Sequence, residues 1–126
     1  MKFSILLASM AALVSADVCD PKVMTTDFYN DAECKDKNEE LTKQYHTVKE
    51  SDYKYYTEGC HPYQNLGYTL SCDAKGTHQF VYKDHECKEP ETKIYGGKVE
   101  YEFDKCEKAK GANLWIKIHT TQQFKE

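Results

Sequence analysis

The chain has 126 residues, with 17 basic side chains against 21 acidic ones and a formal net charge of −4. Every basic side chain is lysine, which lacks the planar fork that reads phosphates and guanines, so no nucleic-acid partner is expected of this acidic chain. The two excesses are six cysteines and ten tyrosines, and any functional reading must start from them.

In chain order, the first element is a leader. Lys2 precedes an apolar run from Ile5 to Val14, and Val14-Ser15-Ala16 puts compact residues before Asp17. This pattern predicts a secretory signal peptide over 1–16, cleaved after Ala16. The run is too short to cross a bilayer, and no second apolar stretch follows, so no membrane span is expected. The expected product is a secreted, extracellular domain, 17–126. Asn30, Asn38, Asn65 and Asn113 all fail the glycosylation sequon.

Period-two patterning then predicts strands near 26–30, 43–49, 53–57, 67–72 and 79–83. Lys98 to Phe103 alternates cleanly, with Val99, Tyr101 and Phe103 on one side and Lys98, Glu100 and Glu102 on the other. Gly96-Gly97, preceded by Lys93-Ile94-Tyr95, reads as a two-residue hairpin into that strand. A last strand sets Leu114, Ile116 and Ile118 against Trp115, Lys117 and His119. The competing element is a helix over Ala32–Tyr45, acidic and then lysine-rich, with Leu41 nearly its only aliphatic residue.

Sliding the chain by 53 positions lays Cys19–Lys35 over Cys72–Lys88 with eight of seventeen positions identical. The shared core is Tyr-x-Asp-x-Glu-Cys-Lys. The offset then shortens by seven, so that Cys60 falls on Cys106 and Tyr55 on Tyr101, while Tyr68, Leu70 and Cys72 fall on Leu114, Ile116 and Ile118. The extra residues of the first copy are expected in a loop within 36–52. The expected architecture is therefore all-β: a small disulfide-stapled sandwich or barrel of about eight strands, built from two tandem four-stranded repeats, about 19–71 and 72–122. The spacings Tyr29 to Cys34 and Tyr82 to Cys87 resemble the opening of a βγ-crystallin Greek key. Asp36 and Glu89 stand where that family has glycine and its calcium motif is absent, so the resemblance implies a fold analogy and no function.

An even cysteine count in a small exported chain reads as three disulfides, and no Cys-x-x-Cys pair suggests zinc. Six cysteines allow fifteen pairings, and each copy holds an odd number, so at least one bond must cross between copies. The pairing expected from two-fold symmetry is Cys19–Cys72, Cys34–Cys60 and Cys87–Cys106.

No catalytic constellation emerges. Ser51 and Ser71 lie outside any nucleophile elbow, and disulfides leave no thiolate. His46, His61, His78, His85 and His119 could supply a nuclease, but nothing pairs them. Asp31/Glu33 and Asp84/Glu86 offer paired carboxylates, and Asp36 to Glu40 alternating oxygens. The simpler reading is that Asp31 and Asp84 cap turns. His85-Glu86-Cys87 and Cys60-His61 lack a second close ligand, so no metal or cofactor is expected.

Tyrosine suits a binding face because it presents a large, rigid, amphipathic surface at low entropic cost. Tyr55, Tyr68 and Tyr101 align with inward positions, which leaves Tyr56, Tyr63 and Trp115 as the expected binding surface. These residues predict a secreted non-enzymatic protein that acts by binding or self-assembly, as a coat, matrix or adhesive component, with a protein, a glycan or itself as partner. The alternative is a soluble effector such as a toxin, antimicrobial, pheromone or protease inhibitor using the 36–52 loop. A small secreted hydrolase comes third.

Overall fold

The computed structural model describes residues 17–124, so the expected leader lies outside the described residues. Two antiparallel sheets make up the fold. One has the order β1-β7-β6, from β1 (Met24–Tyr29), β7 (Trp115–Thr120) and β6 (Glu107–Lys108). The other has the order β2-β3-β4-β5, from β2 (His61–Tyr63), β3 (Leu66–Cys72), β4 (Gly76–Tyr82) and β5 (Lys98–Glu102). The second sheet is a meander with strands in chain order, unlike the Greek-key order that the crystallin analogy implied. The all-β class stands.

The strands form where alternation is clean. Along β5 the side chains of Lys98, Glu100 and Glu102 are exposed and those of Val99 and Tyr101 half-buried. Along β7, Ile116 and Ile118 are buried and His119 is exposed. The inner faces of both sheets meet around a small core of Cys19, Met24, Cys72, Ile116 and Ile118, with Phe28, Tyr56, Leu70, Tyr101 and Phe103 packed at its margin. A parallel bridge between Phe103 and Ile118 joins the end of β5 to β7, and the Asp104 N–H donates to the Ile118 carbonyl at 2.7 Å.

Several expectations change. Neither 43–49 nor 53–57 is a strand. The first overlaps helix α1 (Glu39–Tyr45), and the second lies in a 3-10 helix, Glu50–Tyr56. The helix starts where Asn38 accepts a hydrogen bond from the Leu41 N–H at 3.1 Å, and Glu39 and Glu40 favour its first turn. With so little aliphatic surface, it is held to β1 by polar contacts. Thr42 Oγ1 accepts from the Phe28 N–H at 2.9 Å, and the Phe28 and Tyr45 rings meet edge-on at 6.1 Å. Lys93–Tyr95 does not pair with β5; Tyr95–Gly97 is a 3-10 turn instead, with Gly96 at φ 72°.

Positions 53 residues apart share their geometry. Bridges Tyr29–Lys37 and Tyr82–Pro90 are one such pair, and Thr25–Thr47 and His78–Glu100 are another. Thus the partner of β5 in the first half is reduced to the single Thr47 bridge, which leaves seven strands rather than eight. The offset is still 53 at Thr47 and Glu100 but 46 at Cys60 and Cys106, so the seven extra residues lie within 48–59, not 36–52. Register also corrects the alignment of β7. His61 faces Tyr68 across β2-β3, and Glu107 faces Ile116 across β6-β7, so Tyr68 matches Ile116 rather than Leu114.

The strands also interleave. Chain from 19–71 supplies β1 to one sheet and β2 and β3 to the other, and the remainder completes both. This explains the disulfides. Cys19–Cys72 is as expected, but the other two are Cys34–Cys106 and Cys60–Cys87, not Cys34–Cys60 and Cys87–Cys106. The observed set still respects the two-fold correspondence. It exchanges cysteines between halves because each turn at Cys34 or Cys87 lies over the strand entry of the other half. Cys60 Sγ rests 3.0 Å from the His85 carbonyl, and Cys106 Sγ rests 3.2 Å from that of Ala32, again 53 positions apart. β3 passes under the Cys60–Cys87 bridge at Gly67, where an added Cβ would collide with the Asp84 carbonyl and crowd both sulfurs.

Peptide mapping under non-reducing conditions should recover fragments joined through Cys34–Cys106 and Cys60–Cys87. The bond closing the longest span, 72 residues, should matter most to the unfolded chain. Replacing both Cys34 and Cys106 with alanine should cost about 2–4 kcal/mol in a denaturant titration.

Candidate functional site

A cleft of about 720 Å³ lies between the sheets. Its floor comes from the inner faces: Met24 and Thr26 of β1, Tyr68 and Leu70 of β3, Thr77 and Gln79 of β4, Val99 and Tyr101 of β5, and Ile118 of β7. Its mouth is made by Asp52, Tyr55 and Tyr56 of the 3-10 helix with Pro62, Tyr63 and Gln64 of the β2-β3 turn. The core fills only the Cys19–Cys72 end of the space between sheets, so the rest of the four-stranded sheet's inner face lines the cleft.

A 3-10 helix turns every three residues, so Asp52 and Tyr55 share one side of it, and Tyr56, the next residue, turns toward the core. Strand alternation had put Tyr55 inward and Tyr56 outward. Tyr55 is instead exposed at the rim, and Tyr56 is half-buried and packs against the core. Tyr63 is 60 % exposed, as expected of a surface residue, and stands at the mouth. Trp115 is not with them. It faces away from Ile116 and Ile118 on β7, opposite Tyr29 and Lys108 in register. Of the three expected binding residues the fold therefore gathers Tyr56 and Tyr63, adds Tyr55, Tyr68 and Tyr101, and leaves Trp115 on the other face.

Five tyrosines and one carboxylate thus line the same cleft. Burial, then the negative charge of Asp52, raises the pKa of Tyr56. Burial likewise raises that of Tyr68, with Tyr56 and Tyr55 adding to it. Burial also raises that of Tyr101, although its oxygen accepts the Lys110 N–H at 2.8 Å. All three stay neutral phenols at physiological pH, able to donate and accept. The His61 ring lies tilted against Tyr68 at 5.3 Å, and its Nε2–H donates to the Thr57 carbonyl at 2.7 Å, which fixes the loop that carries the rim.

Asp31 and Asp84 do what the turn-capping reading expects. Asp31 accepts the N–H groups of Lys35 and Asp36, and Asp84 those of Lys88 and Glu89, at 2.8–3.1 Å for the Oδ1 contacts. Those backbone bonds, Asp36 and Glu89 foremost, lower both pKa values. Cys34 and Cys87 follow at φ 54° and 56°, in the left-handed region. His85 donates through Nε2 to the Gln64 carbonyl at 2.6 Å. Among the described residues, no three or more His, Cys, Asp and Glu side chains are arranged to hold a metal ion.

A second polar cluster lies beside the cleft. His78 Nδ1 donates to Glu100 Oε2 at 2.7 Å, while its Nε2 sits 2.9 Å from Asp73 Oδ2 as a charge contact without a directed hydrogen bond. Burial alone would lower the His78 pKa, but the two carboxylates outweigh it and raise it. The His78 hydrogen bond lowers that of Glu100. Asp73 is also lowered, although its burial works the other way. His46 with Asp27 at 2.8 Å and His119 with Asp104 at 2.7 Å are further such pairs, the second well exposed.

No family model matches the chain, nor does any curated protein or solved structure. No helix among the described residues is long and apolar enough to cross a membrane.

The His78 cluster gives stability a pH signature. A raised histidine pKa contributes fully below its unfolded value of about 6.5 and is lost as pH rises through the folded value. The depressed carboxylates contribute above about pH 4 and lose their share in acid. Stability measured by denaturant at several pH values should therefore fall as pH rises above about 6.5. His78→Gln should flatten that part of the profile.

Proposed function

We propose that this chain is a secreted, non-enzymatic binding protein whose ligand is a small organic molecule held between the sheets. The observation behind the reading is the cleft itself. Open to solvent at its mouth, it has a volume of about 720 Å³, which lies within the range of small-molecule sites. Its lining, apolar in the floor with phenol and amide groups spaced around it, is what such sites use to bury a ligand and orient it.

The other forms of the binding reading find less support. Assembly through sheet edges needs a long free strand. Here β2 has three residues and β6 two, β1 is bridged by Thr47 and Lys37, and the remaining edge, the five-residue β5, carries the charges of Lys98, Glu100 and Glu102, which discourage edge pairing. An inhibitor needs an exposed rigid loop, but 36–52 is taken up by α1 and by contacts to β1. We read secretion from the leader sequence and from three disulfides, which persist in oxidising surroundings. We read the 53-residue correspondence as an internal duplication.

The uncharged, environment-sensitive dye N-phenyl-1-naphthylamine provides the test. The wild-type protein should bind it and brighten it. Val99→Trp, which fills the cleft from β5, should weaken dye binding about tenfold or more while leaving the melting temperature unchanged or higher. Equal binding by the two proteins, or none by the wild type, would count against the cleft.

A further inference from the structure

The charges around the cleft narrow the ligand class, on the reading that the cleft is a binding site. Asp52 is the only ionised side chain among its lining residues; no lysine or histidine lines it, and the chain contains no arginine. A fatty acid, a phosphate or any other anion would find a carboxylate there and no counter-charge. Five tyrosine rings line the same space, and the faces of such rings attract cations, more strongly when water is excluded. One ring already does so within the chain: the Lys54 ammonium lies 5.3 Å from the centroid of Tyr55, outside the cleft.

We infer that the cleft takes a hydrophobic organic ammonium, with the cation among Tyr55, Tyr56 and Tyr68 beside Asp52 and the apolar body against Leu70, Val99 and Ile118. The Asp52 charge reaches Tyr56: beside the burial that disfavours a charge of either sign there, Asp52 disfavours a phenolate and would favour a cation. The formal net charge of −4 would draw a cation toward the protein from a distance.

Three probes of one shape test this by calorimetry: 4-phenylbutyltrimethylammonium, its uncharged tert-butyl isostere, and the anion 5-phenylpentanoate. The ammonium should bind about tenfold or more tighter than the isostere, and the anion should not bind measurably. Asp52→Asn should reduce the preference several-fold. This residue is exposed and its N–H bonds only to the Lys49 carbonyl, so the fold should survive, as thermal unfolding would verify. Tyr56→Phe keeps a ring and should retain most of the preference, whereas Tyr56→Leu should lose it. If the isostere or the anion binds as tightly as the ammonium, the charge inference falls while the binding reading stands. If neither these probes nor the dye binds, both fall.

Discussion

The disulfide between Cys19 and Cys72 is the contact on which the rest of the molecule depends. Its two residues are the most completely buried in the described chain, at 1 % and 0 % exposure. Cys72 ends β3 in one sheet, and Cys19 leads through a short 3-10 turn into β1 of the other. Asp17 and Cys72 exchange backbone hydrogen bonds at 2.6 and 2.7 Å beside the bridge. From the far end of the chain, Gln122 bonds to Val18 and Asp20. Both ends of the described residues and the middle of the chain thus converge on one covalent link. Ile116, Ile118 and Met24 pack around it as the buried core.

That anchoring explains how the sheets can stand apart elsewhere. A chain of this size buries a limited core at best, and an open cleft reduces it further. Cross-links lower the entropy of the unfolded chain, which offsets part of the missing burial. Their placement fits this role. Cys34–Cys106 and Cys60–Cys87 hold the turns at the outer ends of the strands, the second of them behind the β2-β3 turn at the cleft's mouth, while Cys19–Cys72 closes its inner end. The Asp31 and Asp84 carboxylates fold the two outer turns tightly enough to present Cys34 and Cys87 in a left-handed conformation.

What the sequence disclosed follows from the range of the forces involved. Alternation in 98–103 and 114–118 reports burial on one face directly, and those strands are where it puts them. The Asp31 and Asp84 caps are local to a few residues and were equally legible. Tyr53-Lys-Tyr-Tyr56 has strand composition but no strand partner; its 3-10 conformation is set by what the segment covers, which sequence patterning does not contain. The disulfide exchange was hidden for a related reason. Symmetry limits the pairings, but choosing between Cys34–Cys60 and Cys34–Cys106 requires knowing that the strands interleave. Asp52 drew no notice because a lone acid in a polar stretch resembles any solvated one. Only its company of five rings distinguishes it, and those come from four separate elements.

The departure from two-fold correspondence is the most informative feature of the site. Positions 53 apart keep the same geometry through Thr47 and Glu100, and the offset is 46 once the chain reaches Cys60 and Cys106. The seven additional residues fall in the stretch that holds Asp52, Tyr55 and Tyr56. The second half has no counterpart to this segment, and the cleft opens on the side where the segment lies. If the segment served only to connect α1 to β2, a shorter polar link would suffice, as it does between β5 and β6. Instead it turns two tyrosines and a carboxylate over an unfilled sheet face. The scaffold can be understood from the correspondence between halves; the cleft's chemistry resides in the part of the chain that breaks it.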